Sequence, residues 1–519
     1  MKVNLSKIKK ELKQKGFFSF IEKIEKTEPK AEIYLVGGAV RDLIMNRGTT
    51  DLDFIVRNVP AKKLESILTK LGKVNFVGKT FGVFKLNLKD SAPFSTKNLS
   101  QQKEEIDIAL PRTDFAFNTG GRKDFKIKYN PKLKIEDDLS RRDFTINAMA
   151  LRITNNKQQI TNNKFIDPYD GLQDLNKKII RTVGKPEERF REDYSRMLRG
   201  VRIACELEFS IEPKTWLAIK KHIKHLNDQK NNKEMIVPRE VIAKELIKAF
   251  LTNPSQAFDF FNQAGIFKVL MPEVEKMKSC PQPKEFHSEG DVFVHTKMAL
   301  KALFSPVFQK EFPKEKNDSN LIMALLFHDI GKPLTTQTPE KHGTDRIRAN
   351  NHDVIGAQIA DKLITKLKLS SPAKIGLEPK KVIWLIKNHL IMLHIKKSLQ
   401  EVKSSTLEKY FFSQEMPSQD LLKLILADTL ACRPKGLKGP ILKDYYQLKK
   451  RLKKLTLLSK KKKVLPPPIL NGHEIINLLK LNSSPKIGKI KEELRIAQLN
   501  QKIKNKKEAK KFLKRKYGN

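Results

Sequence analysis

Between residues 33 and 166 the apolar positions fall in short runs, IYLVGG, DFIV, VFKLNL, IDIAL and ALRIT, separated by polar loops. Runs of this length, rich in β-branched and aromatic residues, read as strands of one sheet with a few helical segments between them. The period changes after Pro168-Tyr169-Asp170-Gly171. From about 186 to 435 apolar residues recur at helical spacing, interrupted at VPRE, NPSQ and the SCPQPKEF stretch near 279–286. Residues 5–30 read as a charged helix, and EERFREDYSRMLRGVRIACELEF (187–209) as one strong amphipathic helix. The pattern predicts an α+β protein. An N-terminal helix (1–30) precedes a small head with a mixed sheet (31–170). A helical neck (171–280), a second helical domain (281–435) and a basic helical tail (436–519) follow.

Composition narrows the class. A chain of 519 residues is too long for one core. Its 103 Lys and Arg against 58 Asp and Glu leave a net charge of +45, which favours a polyanionic partner through counterion release. Lys-rich helices in the tail suit phosphate contacts, which position an RNA without reading its sequence. Three scattered cysteines (Cys205, Cys280, Cys432) form no disulfide framework or metal pair. The N-terminus lacks an apolar signal core, and no stretch approaches the ~20 apolar residues of a membrane span. The expectation is a soluble cytoplasmic protein with no membrane association and no implied protein partner.

Three segments of the head carry chemistry. LVGGAVRD (35–42) is a strand, a glycine turn and a helix start. Gly37 and Gly38 let backbone amides approach a phosphate at the positive end of the new helix, and Arg41 is within reach of the same anion. Asp51 and Asp53 open the DFIV strand, where alternation puts both carboxylates on one face, spaced to share divalent cations. A lone DxD is an ordinary solvated turn; directly after GGAVRD it reads as a Mg²⁺ site for nucleotidyl transfer. Asp107 in EIDIALPR is the candidate third acid. In DDLSRRDFTINAMA (137–150), one of Arg141 and Arg142 suits a triphosphate, and Asp143 a ribose hydroxyl.

Further on, Asp193 lies one helical turn from Arg196, with Arg199 on the same stripe. A carboxylate accepts from the amino group of cytosine or adenine while a guanidinium donates to the adjacent ring or carbonyl acceptor. Uracil and guanine present the opposite polarity, leaving buried groups unpaired at ~1–3 kcal/mol each. Such a helix selects C and A without a nucleic-acid template.

The ordered set LVGGAVRD, DLD, RRDFTINAMA, DPYDGLQDL and EDYSRMLR, over roughly residues 30–275, resembles the class II CCA-adding enzymes and bacterial poly(A) polymerases of the polymerase-beta superfamily. The resemblance implies that Asp51 and Asp53 hold catalytic Mg²⁺. It also implies that Gly38, Arg41, Arg142, Arg196 and Arg199 contact the incoming nucleotide, with Asp193 and Arg196 as the amino-acid template for CTP and ATP. The implied partner is tRNA, whose 3′ end receives CCA. The alternatives are an A-adding enzyme or poly(A) polymerase, or chiefly a phosphohydrolase acting on RNA ends or cyclic nucleotides through a second constellation downstream. VGKTFGVFKL (77–86) is similar to the CCA-adding pattern, and the 111–135 loop, with Arg112, Gly120, Gly121 and Arg122, is long enough for nucleotide switching. Tyr194-Ser195 departs from the family's Pro-Leu; these residues are expected to face away from the base.

A second constellation lies further on. LLFHDIGKP (325–333) sets His328 beside Asp329 on an apolar helix; His287 and His295 lie upstream, and His352, His389 and Asp428 downstream. Imidazoles and carboxylates are ligands for Mn²⁺, Co²⁺, Ni²⁺, Zn²⁺ or Fe²⁺. This H…HD…D order resembles the HD phosphohydrolase superfamily. The resemblance implies that His295, His328, Asp329 and Asp428 bind a transition metal such as Mn²⁺, Ni²⁺ or Co²⁺. His352 and His389 then support a second metal or contact a phosphate, and the substrate class is 2′,3′-cyclic nucleotides or RNA ends.

Overall fold

The computed structural model describes residues 18–49, 52–77, 82–88, 105–121, 124–154, 165–231, 233–313, 318–392, 404–412, 416–458, 468–481, 485–499 and 502–518. Asp51, Arg122 and residues 78–81 of the VGKTFG segment lie outside them, as does the first part of the expected 5–30 helix; a helix covers Phe18–Thr27. The chain divides into two compact units, one of residues 1–253 with 260–270, the other of 254–259 with 271–519. The division into head, neck, HD domain and tail is a finer proposal within these units.

The first unit is built on a seven-stranded sheet. In chain order its strands are β1 (Glu32–Val36), β2 (Asp53–Arg57), β3 (Gly72–Val77), β4 (Val83–Leu88), β5 (Glu105–Ala109), β8 (Ala150–Ile153) and β9 (Phe165–Ile166); β6 (Arg112–Ala116) and β7 (Phe125–Tyr129) pair separately as a hairpin. The sheet order is β3-β4-β5-β2-β1-β8-β9, and β2 and β5 run parallel while the other neighbours are antiparallel. The mixed sheet matches the α+β expectation, and the five expected strands are all present.

Strand alternation sorts the side chains. Leu35, Phe54, Phe84 and Ile108 enter the main core under helices that include Ala61–Thr69. Tyr34, Val36 and Ile55 face a smaller cluster with Ile135, Leu139 and Val183. Asp53, two residues before Ile55, is on this second, thinly covered face, and Asp107 is its Cα partner across the parallel ladder. A full apolar layer on one side thus frees the other for chemistry.

The expected single helix over 187–209 is two. Pro186–Glu192 ends at Asp193, whose φ of −154° is extended, and a new helix, α2 (Ser195–Leu207), begins after Tyr194. Here α1 is Gly38–Ile44. Continuous amphipathic periodicity concealed the break because Phe190 and Leu198 are buried on both sides of it.

The second unit packs α3 (Val292–Ala302), α4 (Ser319–Phe327), α5 (His352–Lys366), α6 (Pro379–Asn388) and α7 (Ser418–Ala431) together. Asp291 and Asp318 cap α3 and α4 by accepting the main-chain N–H groups of Val294 and Leu321. Every residue of α4 is buried, so its end carries His328 into the unit's interior. Tail helices that include Pro485–Leu499 and Lys506–Tyr517 share a separate core containing Leu494 and Leu513. Among the described residues, two ribbons of two-residue strands, 179–180 with 210–211 and 336–337 with 348–349, interrupt the helical part, where no alternating apolar run predicts a strand. Among the described residues, no helix is long and apolar enough to cross a membrane.

Candidate active sites

The head site forms where β1 turns into α1. Gly37 has φ +75° and ψ −145°, and a methyl placed on it would lie 2.8 Å from Arg142 Nη1 and 3.3 Å from Asp53 Oδ2. Only a residue without Cβ lets this carboxylate and guanidinium close on the same turn. Asp53 stands opposite Val36 on β1 and Asp107 on β5. Asp107 is also 3.2 Å from the Lys85 amine, a neighbour the sequence did not reveal.

The two arginines of the RRD segment diverge. Arg141 donates to Asp138 at 3.0 and 2.7 Å and to Asp114 of β6 at 3.0 Å, tying the hairpin to the Ile135–Ser140 helix. Arg142 turns to Gly37, 3.6 Å from Asp138 Oδ2, with its buried Nε lacking a hydrogen-bond partner. Such a group is costly unless something binds it. Asp143 accepts from the Phe144 N–H and the Asn147 amide and pairs with Arg199 Nε at 2.5 Å. Burial alone would raise its pKa; Arg199, then Arg196 and these hydrogen bonds, hold it below the usual carboxylate value.

Arg41 is 6% exposed and engaged with Asp42 and the Asn147 amide oxygen (2.9 Å each), while its guanidinium lies over Gly38. It joins α1 to the Thr145–Asn147 turn. Asp138 and Asn147, which organise these arginines, were not singled out in the sequence. Nothing in local periodicity marks them.

The neck shows two contacts that sequence spacing did not reveal. Asp193 Oδ1 accepts both the Ser195 N–H (2.9 Å) and the Ser195 hydroxyl (2.6 Å), so Ser195 contacts the carboxylate proposed to read the base. Arg196 turns to Glu192 Oε2 at 2.5 Å and to the carbonyls of Arg189 and Arg141, so the two template residues do not pair directly. The chain break at Asp193 explains both, because their relation is no longer that of an unbroken helix.

The second unit gathers every expected HD residue. The ligand atoms of His295, His328 and Asp329 lie within 4.8 Å of one another, and so do those of Asp329, His352 and His389. Asp428 Oδ1 is 2.8 Å from His295 Nε2 and 3.6 Å from His328 Nε2. Asp329 faces both groups, Oδ2 toward His328 (3.3 Å) and Oδ1 toward His352 (3.3 Å) and His389 (3.6 Å). The arrangement suits two cations bridged by one carboxylate. His328 Nε2 is buried with no hydrogen-bond partner, and His352 and His389 turn their Nε2 atoms toward each other at 3.3 Å. Gly331 allows this closure: a methyl there would lie 2.2 Å from the His352 carbonyl oxygen.

Charge in this cluster is strongly coupled. Burial alone would lower His328, but Asp329 and Asp428 outweigh it and raise its pKa to about 10. Burial would raise Asp329 and Asp428; the neighbouring imidazoles hold both well below the usual range. Lys332, missed in the sequence although it stands in HDIGK, donates to Asp329 Oδ2 at 2.6 Å. Carboxylates that stabilise a positive charge on His328 this strongly also suit a divalent cation.

Comparison with known proteins matches both domains. Residues 33–181 match the Poly A polymerase head domain and residues 292–431 the HD domain; a divalent-metal requirement follows from the two domains. The chain is 31% identical over 344 residues to the Multifunctional CCA protein of Mannheimia succiniciproducens, covering 65% of this chain and 70% of that one. It is 28% identical over 388 residues to the A-adding tRNA nucleotidyltransferase of Deinococcus radiodurans, covering 73% and 79%. The fold is that of the Bacillus stearothermophilus CCA-adding enzyme solved with CTP (TM-score 0.59, 19% identity, 96% of each chain). It is also that of the Thermotoga maritima CCA-adding enzyme solved with tRNA (TM-score 0.55, 19% identity, 96% and 94%). Sequence, fold and both domains agree: the chain belongs to the CCA-adding tRNA nucleotidyltransferase family and carries an HD domain.

Proposed function

We propose that the protein adds CCA to the 3′ end of tRNA, using CTP and ATP without a nucleic-acid template. The observation that carries this reading is the convergence of Asp53 and Arg142 at Gly37, beside Asp107. Asp53 and Asp107, with Asp51 from the sequence, would hold Mg²⁺. Bound there, Mg²⁺ supplies activation of the 3′-hydroxyl and charge neutralisation at the departing pyrophosphate. Arg142, with its unpartnered Nε, binds the triphosphate, and the amides at Gly37 and Gly38 approach it from the helix start. Asp143, fixed by Arg199 and Asn147, orients the ribose.

Asp193 keeps Oδ2 for the amino group of C or A, since Ser195 occupies Oδ1. Arg196 must leave Glu192 to reach the base. A base with matching acceptors replaces the Glu192 contact of this part-buried guanidinium, whereas an unmatched base forfeits ~1–3 kcal/mol for each buried group left unpaired. The supporting test is Asp53→Asn: incorporation of CTP and ATP should fall at least 1,000-fold while tRNA binding persists, and undiminished incorporation rejects the site.

A second activity is supported by the inward Nε2 atoms of the HD cluster. His295, His328, Asp329 and Asp428 would hold a transition metal such as Mn²⁺, Ni²⁺ or Co²⁺, with His352 and His389 at a second position. Such a cation supplies a hydroxide nucleophile for phosphate esters, and 2′,3′-cyclic nucleotides are the proposed substrate class. Loss of their hydrolysis in His328→Ala, with CCA addition intact, is the expected result; equal hydrolysis by the variant rejects it.

A further inference from the structure

An imidazole that binds a cation through Nε2 must carry its proton on Nδ1, and an outward acceptor fixes that choice. Three histidines of the HD cluster use the main chain. His328 Nδ1 donates to the Leu325 carbonyl at 2.7 Å, His352 Nδ1 to that of Ala349 at 2.6 Å, and His389 Nδ1 to that of Ile386 at 2.6 Å. Each acceptor is three residues back, at a helix end or just before a helix, where the helical ladder leaves carbonyl capacity open.

His295 stands differently. It is the fourth residue of α3, and the carbonyl three residues back, that of Val292, lies inside the helix, facing the helix's own N–H groups. Its Nδ1 instead meets Glu289 Oε1 at 2.8 Å, while Nε2 meets Asp428 Oδ1 at 2.8 Å. The Glu289 side chain is 1% exposed. Its Oε1 is also 2.8 Å from His287 Nδ1, and its Oε2 accepts the Arg433 N–H at 2.8 Å, just beyond the helix that bears Asp428. One buried carboxylate therefore holds the ring of one expected ligand and the chain next to another.

We propose that Glu289 is the positioning residue of the HD centre: it accepts the Nδ1 proton of His295, so that Nε2 presents its lone pair to a divalent cation beside Asp428. This rests on the reading of the HD cluster as a metal site. The rival is a cation held by His287, Glu289, His295 and Cys432, whose ligand atoms also lie within 4.8 Å of one another. That site would strip both ring protons from His295 if the HD cation bound as well. Cys432 also speaks against it, because its Sγ donates to the Asp428 carbonyl at 3.5 Å and burial pushes the thiol's pKa up. Glu289 is an orienting group, with His287 completing its hydrogen bonds.

The test is a Co²⁺ titration of the full chain, followed by visible absorption, for wild type, Glu289→Gln and His328→Ala. The Co²⁺-loaded forms are then compared by the shifted proton signals of their ring N–H groups. Glu289→Gln should bind Co²⁺ 10–100-fold more weakly, the usual effect of losing an outer partner of a metal-bound histidine. Its His295 ring N–H signal should shift, because a neutral amide oxygen is a weaker acceptor than a carboxylate, while those of the other histidines stay in place. Wild-type affinity and an unchanged His295 signal in Glu289→Gln overturn the positioning role and leave the metal reading intact. Wild type binding no better than His328→Ala overturns the metal reading and this inference with it. If Glu289→Gln does not fold, Glu289→Asp keeps the charge but withdraws it by one methylene, and undiminished Co²⁺ affinity there overturns the proposal.

Discussion

Single side chains in the head do separable jobs. Arg196→Ala should lower kcat/KM for CTP by about 10–200-fold, the range of ~1–3 kcal/mol for a lost partner in a desolvated site, and should narrow discrimination against UTP. Steady-state incorporation with each nucleotide checks this; unchanged discrimination would remove Arg196 from base selection. Asp143 gives a pH prediction. Its folded pKa lies below the ordinary 3.8, so the stability it contributes is fully present above pH 3.8 and is lost as pH falls through the lower folded value. Thermal midpoints of wild type and Asp143→Asn should therefore differ at pH 6 and converge as pH drops below 3.8. A constant difference would show that the Arg199 pair does not set the shift. Asp193, Arg196 and Arg199 were legible as residues, but their contacts were not. Ser195 and Glu192 are polar neighbours in a polar stretch, and only the backbone break at Asp193 turns one toward the carboxylate and the other toward the guanidinium.

At the scale of elements, strand alternation made the Asp53 and Asp107 face readable. The runs DFIV and IDIAL place each carboxylate one residue from a core side chain, and the ladder then aligns the two. The β6–β7 hairpin was less legible: Lys126, Lys128 and Tyr129 of β7 are exposed and Phe125 and Ile127 only partly covered, so no apolar run announced it. The HD motif was legible as residues, yet the reason for its glycine was spatial. Gly331 lets the chain after His328 press against the start of α5, where a methyl would lie 2.6 Å from Gly356 N. Gly331→Ala should force these elements apart, lower stability by ~1–3 kcal/mol as an overpacked contact, and weaken metal uptake by the HD cluster. Calorimetric unfolding with a metal titration checks this, and wild-type metal affinity in Gly331→Ala would show that the contact does not set the spacing of Asp329 and His352.

The whole molecule carries +45 charges, and its affinity for tRNA should be steeply salt-dependent. With six or more phosphates contacted, binding should weaken by about 1,000-fold or more between 50 and 200 mM salt. A filter-binding series checks the slope, and a flat response would reject an electrostatic tRNA surface. CCA addition itself is measured by incorporation of labelled CTP and ATP, separately and together, into tRNA ending at the discriminator base, with Mg²⁺. CTP alone should give two added C, one A should follow once ATP is present, and Asp53→Asn should give neither. Incorporation of A only, on tRNA already ending in CC or on unrelated RNA, would contradict CCA addition and identify an A-adding or poly(A)-forming enzyme.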